Sequence, residues 1–417
     1  MKPTTAILAS LVLFAACSPS YARPVSPGPG PTEALAALGK GNPKGGIDNW
    51  LLEGAHPFLT RIGNLYYMLT TRHYDIGIYK NESLNNMDSV IPYRAWCFDF
   101  LNVASKWDTF PDLPGWGQIM APELHNVDGA WYVYFTGWTW YNESYPTSPP
   151  SSPPKLWVLK STTTSPNGPY VLSNSLDITQ GLHGTTFKWK GKNYFSWSEI
   201  QSTKSPDGSP VQCLKLAPMC NATAVGYPRV TISCPEYDWE MGGGKAINEG
   251  PAALMQTNRP NPDQLFIVYT AGNSYSQYAG MGMLQLKNQN LDILDPTSWK
   301  KEKKPVFKTD SSRLQFGPSN PSFTQAPNGR WFMAYQARNV STTGGFRGDG
   351  TSFFKVWVKE FNWKAGIPNF EPAPEQTYFG YRHVFARDTD ENGNQLICPN
   401  APWNGQVATP VLDNKCE

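Results

Sequence analysis

Glu249 is a carboxylate whose setting singles it out. It stands between Asn248 and the bend-forming pair Gly250-Pro251, ahead of the apolar run Ala252-Ala253-Leu254, and so marks the start of a strand whose side chains alternate faces. A lone Glu at a strand start is ordinarily a solvated end residue. Here a unit that recurs along the chain argues for a placed one: a special residue, then Pro or Gly, a short strand, a Gly-containing turn and an aromatic strand. The unit begins at His56, Ala121, His183, Glu249 and Asn320, at intervals of 62 to 71 residues. If these five share a phase, two imidazoles and one carboxylate meet at a common centre. A carboxylic acid can protonate a leaving oxygen, and a neutral imidazole with a pKa near ~6.5 can serve as general base. The same trio, His56, His183 and Glu249, offers two alternatives: a divalent-metal site, or acid–base chemistry of a non-hydrolytic kind such as elimination or cyclisation. His73, His125 and His383 fall off the phase and read as structural or surface residues.

The elements that must position these side chains are short strands. Further strands fall between the units, at residues 156–160, 281–286 and 353–361, and supply the outer strands of each repeat. Radial repetition of small sheets makes a propeller whose innermost strands line an axial channel. The expected fold is therefore all-β, a single five-bladed β-propeller over residues 46–380, with a β-sandwich of coincidentally similar hairpins as the competing architecture. Composition agrees: 16 Trp, 20 Tyr and 20 Phe stand beside 36 Gly and 38 Pro, with no long segment of helical period. Surplus Trp and Tyr also suit stacking on sugar rings, although most must fill sheet cores. The Pro/Ser-rich stretch 146–154 cannot sit in a central strand and is expected to cross the surface.

The charge balance, 35 basic against 33 acidic residues, argues against a nucleic-acid or membrane-surface partner held by charge. Residues 1–22 read as an export signal: Lys2, an apolar run from Ala6 to Ala16, and the small residues of Ser20-Tyr21-Ala22 before Arg23. No other segment approaches the roughly 18 apolar residues of a membrane span. A secreted, extracellular, monomeric protein is expected, with a flexible lead-in at 23–45. Once Cys17 leaves with the signal, Cys97, Cys213, Cys220, Cys234, Cys398 and Cys416 remain, an even set for an oxidising compartment. Cys398 and Cys416 suit a clip in the tail at 381–417, and Cys213, Cys220 and Cys234 crowd one region. Asn81, Asn142, Asn221 and Asn339 head glycosylation sequons.

Several stretches together resemble glycoside hydrolase family 43, the five-bladed propellers that include α-L-arabinofuranosidases and β-xylosidases. They are A-H-P-F-L from Ala55, M-A-P-E-L-H-N-V-D-G-A-W-Y-V-Y-F from Met120, T-T-F-K-W-K-G-K-N-Y-F from Thr185 and C-P-E-Y-D-W-E from Cys234. They continue with N-E-G-P from Asn248, L-D-P-T-S-W from Leu294, F-G-P-S-N-P-S-F-T from Phe316 and A-Y-Q-A-R from Ala334. The resemblance implies that Glu249 is the general acid. It places His56 where the family has its general-base Asp, and His183 where the family has the Asp that modulates the acid. Asn320 stands where the family has a His often associated with an axial calcium, Gln336 replaces the His of Tyr-His-Ala, and Met120 replaces a Trp. Glu123, Asn320, Gln336 and Met120 are the candidate substrate contacts. No cofactor is expected, with calcium or another divalent metal as the alternative. The function implied is exo-acting hydrolysis of arabinose- or xylose-containing plant polysaccharides, with a carbohydrate as the partner. With His183 replacing a carboxylate, Glu249 is expected to lose a like-charge neighbour that would help raise its pKa. A repurposed pocket or a sugar-binding pseudoenzyme is the alternative reading.

Overall fold

The computed structural model describes residues 52–371, except 72–74, 85–86, 88–92, 98–116, 140–152, 206, 257–263 and 342–353. The expected export signal, the expected lead-in and tail, with Cys398 and Cys416, His73, His383, Asn142 and most of the Pro/Ser-rich stretch lie outside the described residues. Five small antiparallel sheets follow one another along the chain and make a five-bladed propeller. Their inner strands are Ala55–Ile62, Gly117–Val127, Gly181–Trp189, Asn248–Met255 and Phe316–Gln325. The strands expected outside these are third strands, at Lys155–Ser161, Gly280–Leu286 and Phe354–Lys364. The short strand Leu52–Glu53 pairs with Phe354–Lys364, through Leu52 with Val356 and Glu53 with Lys355, so the last blade is completed from the start of the propeller.

Five hydrophobic clusters hold the blades together, one between each neighbouring pair. The second strand of the first blade, Leu65–Thr71, shows how the sequence achieves this. Tyr66 and Met68 pack with Phe332 and Val356 of the fifth blade, while Tyr67 and Leu69 pack with Ile119 and Val133 of the second. A strand covered on both faces reads as a continuous apolar run, and this is where the aromatic surplus goes. Each large side chain so buried contributes about 1.5–3 kcal/mol.

All five inner strands carry the same irregularity at the same place. In each blade the ladder slips by one residue, between Ala55 and Phe58, Met120 and Glu123, Leu182 and Thr185, Glu249 and Ala252, and Ser319 and Ser322. The extra residue is a β-bulge. Directly after the last paired residue comes one with positive φ: His56 (51°), Ala121 (48°), His183 (48°), Gly250 (59°) and Asn320 (50°). Pro57, Pro122, Pro251 and Pro321 follow in four blades, each lacking the N–H that an interrupted ladder would leave unpaired. The bulge fixes the phase of the repeat, and it corrects the one read from sequence. Gly250, not Glu249, is the counterpart of His56, Ala121, His183 and Asn320. Glu249 instead shares the register of Ala55, Met120, Leu182 and Ser319.

The N–H of each positive-φ residue is taken by a side chain of the preceding blade. His56 donates to Gln336 Oε1 (2.7 Å), Ala121 to Thr71 Oγ1 (3.0 Å) and His183 to Thr136 Oγ1 (2.8 Å). Gly250 donates to Ser198 Oγ (3.1 Å) and Asn320 to Thr270 Oγ1 (2.8 Å). Every acceptor sits on a second strand directly opposite the last paired residue before the bulge. The five bonds form a closed ring around the axis. Thr136→Val keeps shape and removes an acceptor, leaving the buried His183 N–H unpaired, and should cost about 1–3 kcal/mol. Thr162→Val removes an exposed bond to Pro169 O and should cost within about 0.5 kcal/mol. Equal denaturation midpoints for the two variants would show that the ring bond constrains nothing.

Candidate active site

The bulges turn three side chains toward one another at the axial end of the inner strands. The rings of His56 and His183 lie 4.7 Å apart between centroids, and His183 Nδ1 lies 3.9 Å from Glu249 Oε2. Asn320 borders the same point, because a Cβ on Gly250 would come 2.4 Å from Asn320 Oδ1. The trio expected from sequence is thus brought together, together with Asn320.

Burial governs the electrostatics. Glu249 is 7% exposed. Loss of water raises its pKa to about 7, against smaller opposing effects from Lys245 and from the Ser274 hydroxyl, which donates to it. No neighbouring carboxylate contributes to this rise: desolvation supplies what a like charge would. His183 is pushed down to about 4 by burial, so it is neutral at pH 7 and exerts no cationic pull on Glu249. Desolvation by burial, and then the His183 imidazole, hold His56 well below the usual histidine range although it still touches solvent. His56 Nδ1 lies 2.8 Å from Thr71 Oγ1, the hydroxyl that also accepts the Ala121 N–H. An Nδ1–H donated to Thr71 leaves the Nε2 lone pair free.

Two buried groups here have no protein partner among the described residues: both ring nitrogens of His183, and Asn320 Nδ2. Buried polar atoms are normally satisfied, so these mark where a polar ligand fits. A cation fits less well. Among the described residues no three His, Cys, Asp or Glu side chains gather as a metal-binding group.

The other expected contacts are placed differently. Gln336 is buried and has both ends engaged, accepting from His56 N–H and donating to Ser319 Oγ (2.9 Å). Its position closes the ring rather than facing a substrate. Met120 is buried at the bulge of the second blade. Glu123 pairs with His125 Nε2 at 2.8 Å, and the His125 ring packs 4.9 Å from that of Phe58. Of the crowded cysteines, Cys213 and Cys234 form a disulfide, and Cys220 is also oxidised. Asn221 is exposed, its side chain accepting from Thr223 N and Oγ1.

Sequence reasoning missed Ser274, Lys245, Tyr275 and Arg338. Burial and the charge of Glu249 both raise the Tyr275 phenol. Arg338 is fully buried and donates to Tyr275 O and to Val340 O (3.1 Å), and desolvation lowers its pKa to about 10. Arg338 was visible as the last residue of A-Y-Q-A-R. Ser274 and Tyr275 sit in an ordinary polar loop that carries no signal.

Gly250 links the strain to the chemistry. Gly63→Ala, at φ 62° with open space around it, should cost the left-handed penalty of about 1–2 kcal/mol. Gly250→Ala meets Asn320 as well and should cost more in thermal unfolding. Equal losses would mean that Asn320 moves aside freely.

The profile of glycosyl hydrolases family 43 matches residues 49–368. An extracellular exo-alpha-(1->5)-L-arabinofuranosidase of Streptomyces chartreusis is 30% identical over 278 residues, which are 64% of this chain and 78% of that protein. An enzyme of the same name from Streptomyces avermitilis is 28% identical over 376 residues, 88% of this chain and 68% of its own length. The crystal structure of an alpha-L-arabinofuranosidase from Lactobacillus brevis aligns with a TM-score of 0.66 at 26% identity, covering 80% of this chain and 98% of that one. The chain belongs to glycosyl hydrolases family 43.

Proposed function

We propose that the protein is a secreted, exo-acting glycosidase that removes arabinofuranosyl or related pentosyl units from plant polysaccharides, with Glu249 as general acid and His56 as an atypical base. The observation that carries this reading is the buried Glu249 carboxyl, raised to about 7 beside a neutral imidazole pair. The extracellular relatives and the signal-like pattern of residues 1–22 support secretion.

Inverting hydrolysis needs an acid and a base on opposite faces of the sugar, roughly 6.5–9.5 Å apart to admit a water. Protonated Glu249 gives its proton to the glycosidic oxygen as the bond from that oxygen to the anomeric carbon breaks. Water attacks the same carbon from the other face, and His56 Nε2 takes the proton that water loses. Glu249 ends as carboxylate and His56 as imidazolium, and proton exchange with solvent resets both. Neutral His183, with two unpaired ring nitrogens, is suited to a sugar hydroxyl.

The pH profile follows with definite signs. Activity should fall as pH rises through about 7, where Glu249 loses its proton, and as pH falls well below ~6.5, where His56 gains one. His56→Ala should lower turnover of an aryl α-L-arabinofuranoside by about 10²–10⁴-fold. Wild type that is inactive on every pentoside while His56→Asp/His183→Asp is active would mean a hydrolase disabled by its histidines. Inactivity of both folded proteins would reject the reading in favour of a sugar-binding or non-hydrolytic pocket.

A further inference from the structure

Glu240 is a fully buried carboxylate that the acid–base chemistry does not use. It lies on the 3-10 turn Asp238–Gly244, just ahead of the inner strand that starts with Asn248 and Glu249. A carboxylate without water needs its lone pairs matched by protein donors. Oε2 faces Lys301 Nζ at 2.8 Å and accepts the N–H groups of Glu236 (2.9 Å) and Tyr237 (3.1 Å). Oε1 accepts Asn248 Nδ2 (2.9 Å) and the Tyr269 hydroxyl (3.0 Å).

The far side of the network returns to the same asparagine. Lys301 Nζ donates to Cys234 O at 2.7 Å and reaches Asn248 Oδ1 at 3.4 Å, and Asn248 Oδ1 also accepts the Ser233 hydroxyl at 2.7 Å. Asn248, itself fully buried, is thus gripped from the third blade by Ser233, from the outer part of the fourth by Lys301, and from the turn by Glu240. It cannot change rotamer without unpairing buried groups. Its backbone is where Glu249 begins.

We propose that Glu240, acting through Asn248 and Lys301, is a positioning residue for Glu249. It fixes the backbone from which that side chain projects, and so sets where the carboxyl lies relative to His183 and Ser274. A buried ion pair is weak evidence for stability as such, because desolvation offsets its attraction. Its specific gain here is geometry. The proposal rests on the reading of Glu249 as the acid, but its consequences can be read without turnover.

The test uses the full chain with Asn248→Ala, which leaves the Glu240–Lys301 pair intact, and Glu240→Gln beside it. Misplacement by about 1 Å can cost about 10²-fold in rate. Folded Asn248→Ala should lose about 10- to 100-fold in kcat on an aryl α-L-arabinofuranoside, with KM changed by less than about twofold. The Glu249 carboxyl resonance, assigned against Glu249→Gln in protein carrying ¹³C-labelled glutamate, should titrate at lower pH than in wild type as the side chain gains water. The charged and titratable neighbours of Glu249 are His183, Lys245 and Tyr275, and none is altered by either substitution. Lower stability with kcat and the titration midpoint unchanged would overturn the proposal and leave Glu240 as a structural ion pair. A wild type without turnover, whose midpoint nevertheless falls in Asn248→Ala, would retire the hydrolase reading and uphold the positioning role.

Discussion

The structure depends on a ring of five hydrogen bonds in which each inner strand's bulge donates an N–H to the blade before it. Ring and cores do different work. The inter-blade clusters bury dozens of large side chains at about 1.5–3 kcal/mol each, whereas one ring bond nets about 0.5–1.5 kcal/mol. The clusters therefore hold the blades together, and the ring decides where five backbone segments point. Four of its five positive-φ residues are not glycine, a conformation that costs roughly 1–2 kcal/mol each. Strain of that kind persists where the surroundings over-determine it, and it concentrates at sites of function. His56 shows the outcome: its N–H is held by Gln336 and its ring by Thr71, two successive members of the ring.

The same frame explains why an unusual set of residues still makes a coherent pocket. Acid–base catalysis near neutral pH needs a carboxylic acid that stays protonated and a base that stays free. The family pattern would provide two aspartates near Glu249, and this chain has two histidines. Burial, against the smaller pull of Lys245 and Ser274, holds Glu249 near 7, and burial holds His183 near 4. At neutral pH the pocket therefore contains a partly protonated acid and uncharged imidazoles. The compensation has a cost in base strength, since an imidazole whose pKa is lowered is a weaker proton acceptor.

Much of the fold was legible because its repeat is periodic in composition: Pro or Gly after a special residue, then an aromatic strand buried on both faces. The phase of that repeat was legible in four blades and shifted in the fourth. The eye follows a polar side chain such as Glu249, while the backbone is organised by the left-handed residue after it, Gly250. Gln336 misled for a related reason. A polar residue in a family's ligand position looks like a ligand contact, and only the register with Ser319 reveals that it closes a ring that Thr or Ser closes in the other blades. Glu240 lay within a recognised motif, yet its role needs Lys301 and Asn248, 61 and 8 residues away, brought together by blade packing.

The central claim is that Glu249 and an imidazole base act on opposite faces of one pentosyl ring, and product stereochemistry tests it most directly. Proton NMR of the first sugar released from an aryl α-L-arabinofuranoside distinguishes the anomers before they equilibrate. A single displacement between Glu249 and His56 requires β-L-arabinofuranose as the first product. Release of the α anomer, or release that survives His56→Ala undiminished, would contradict the account.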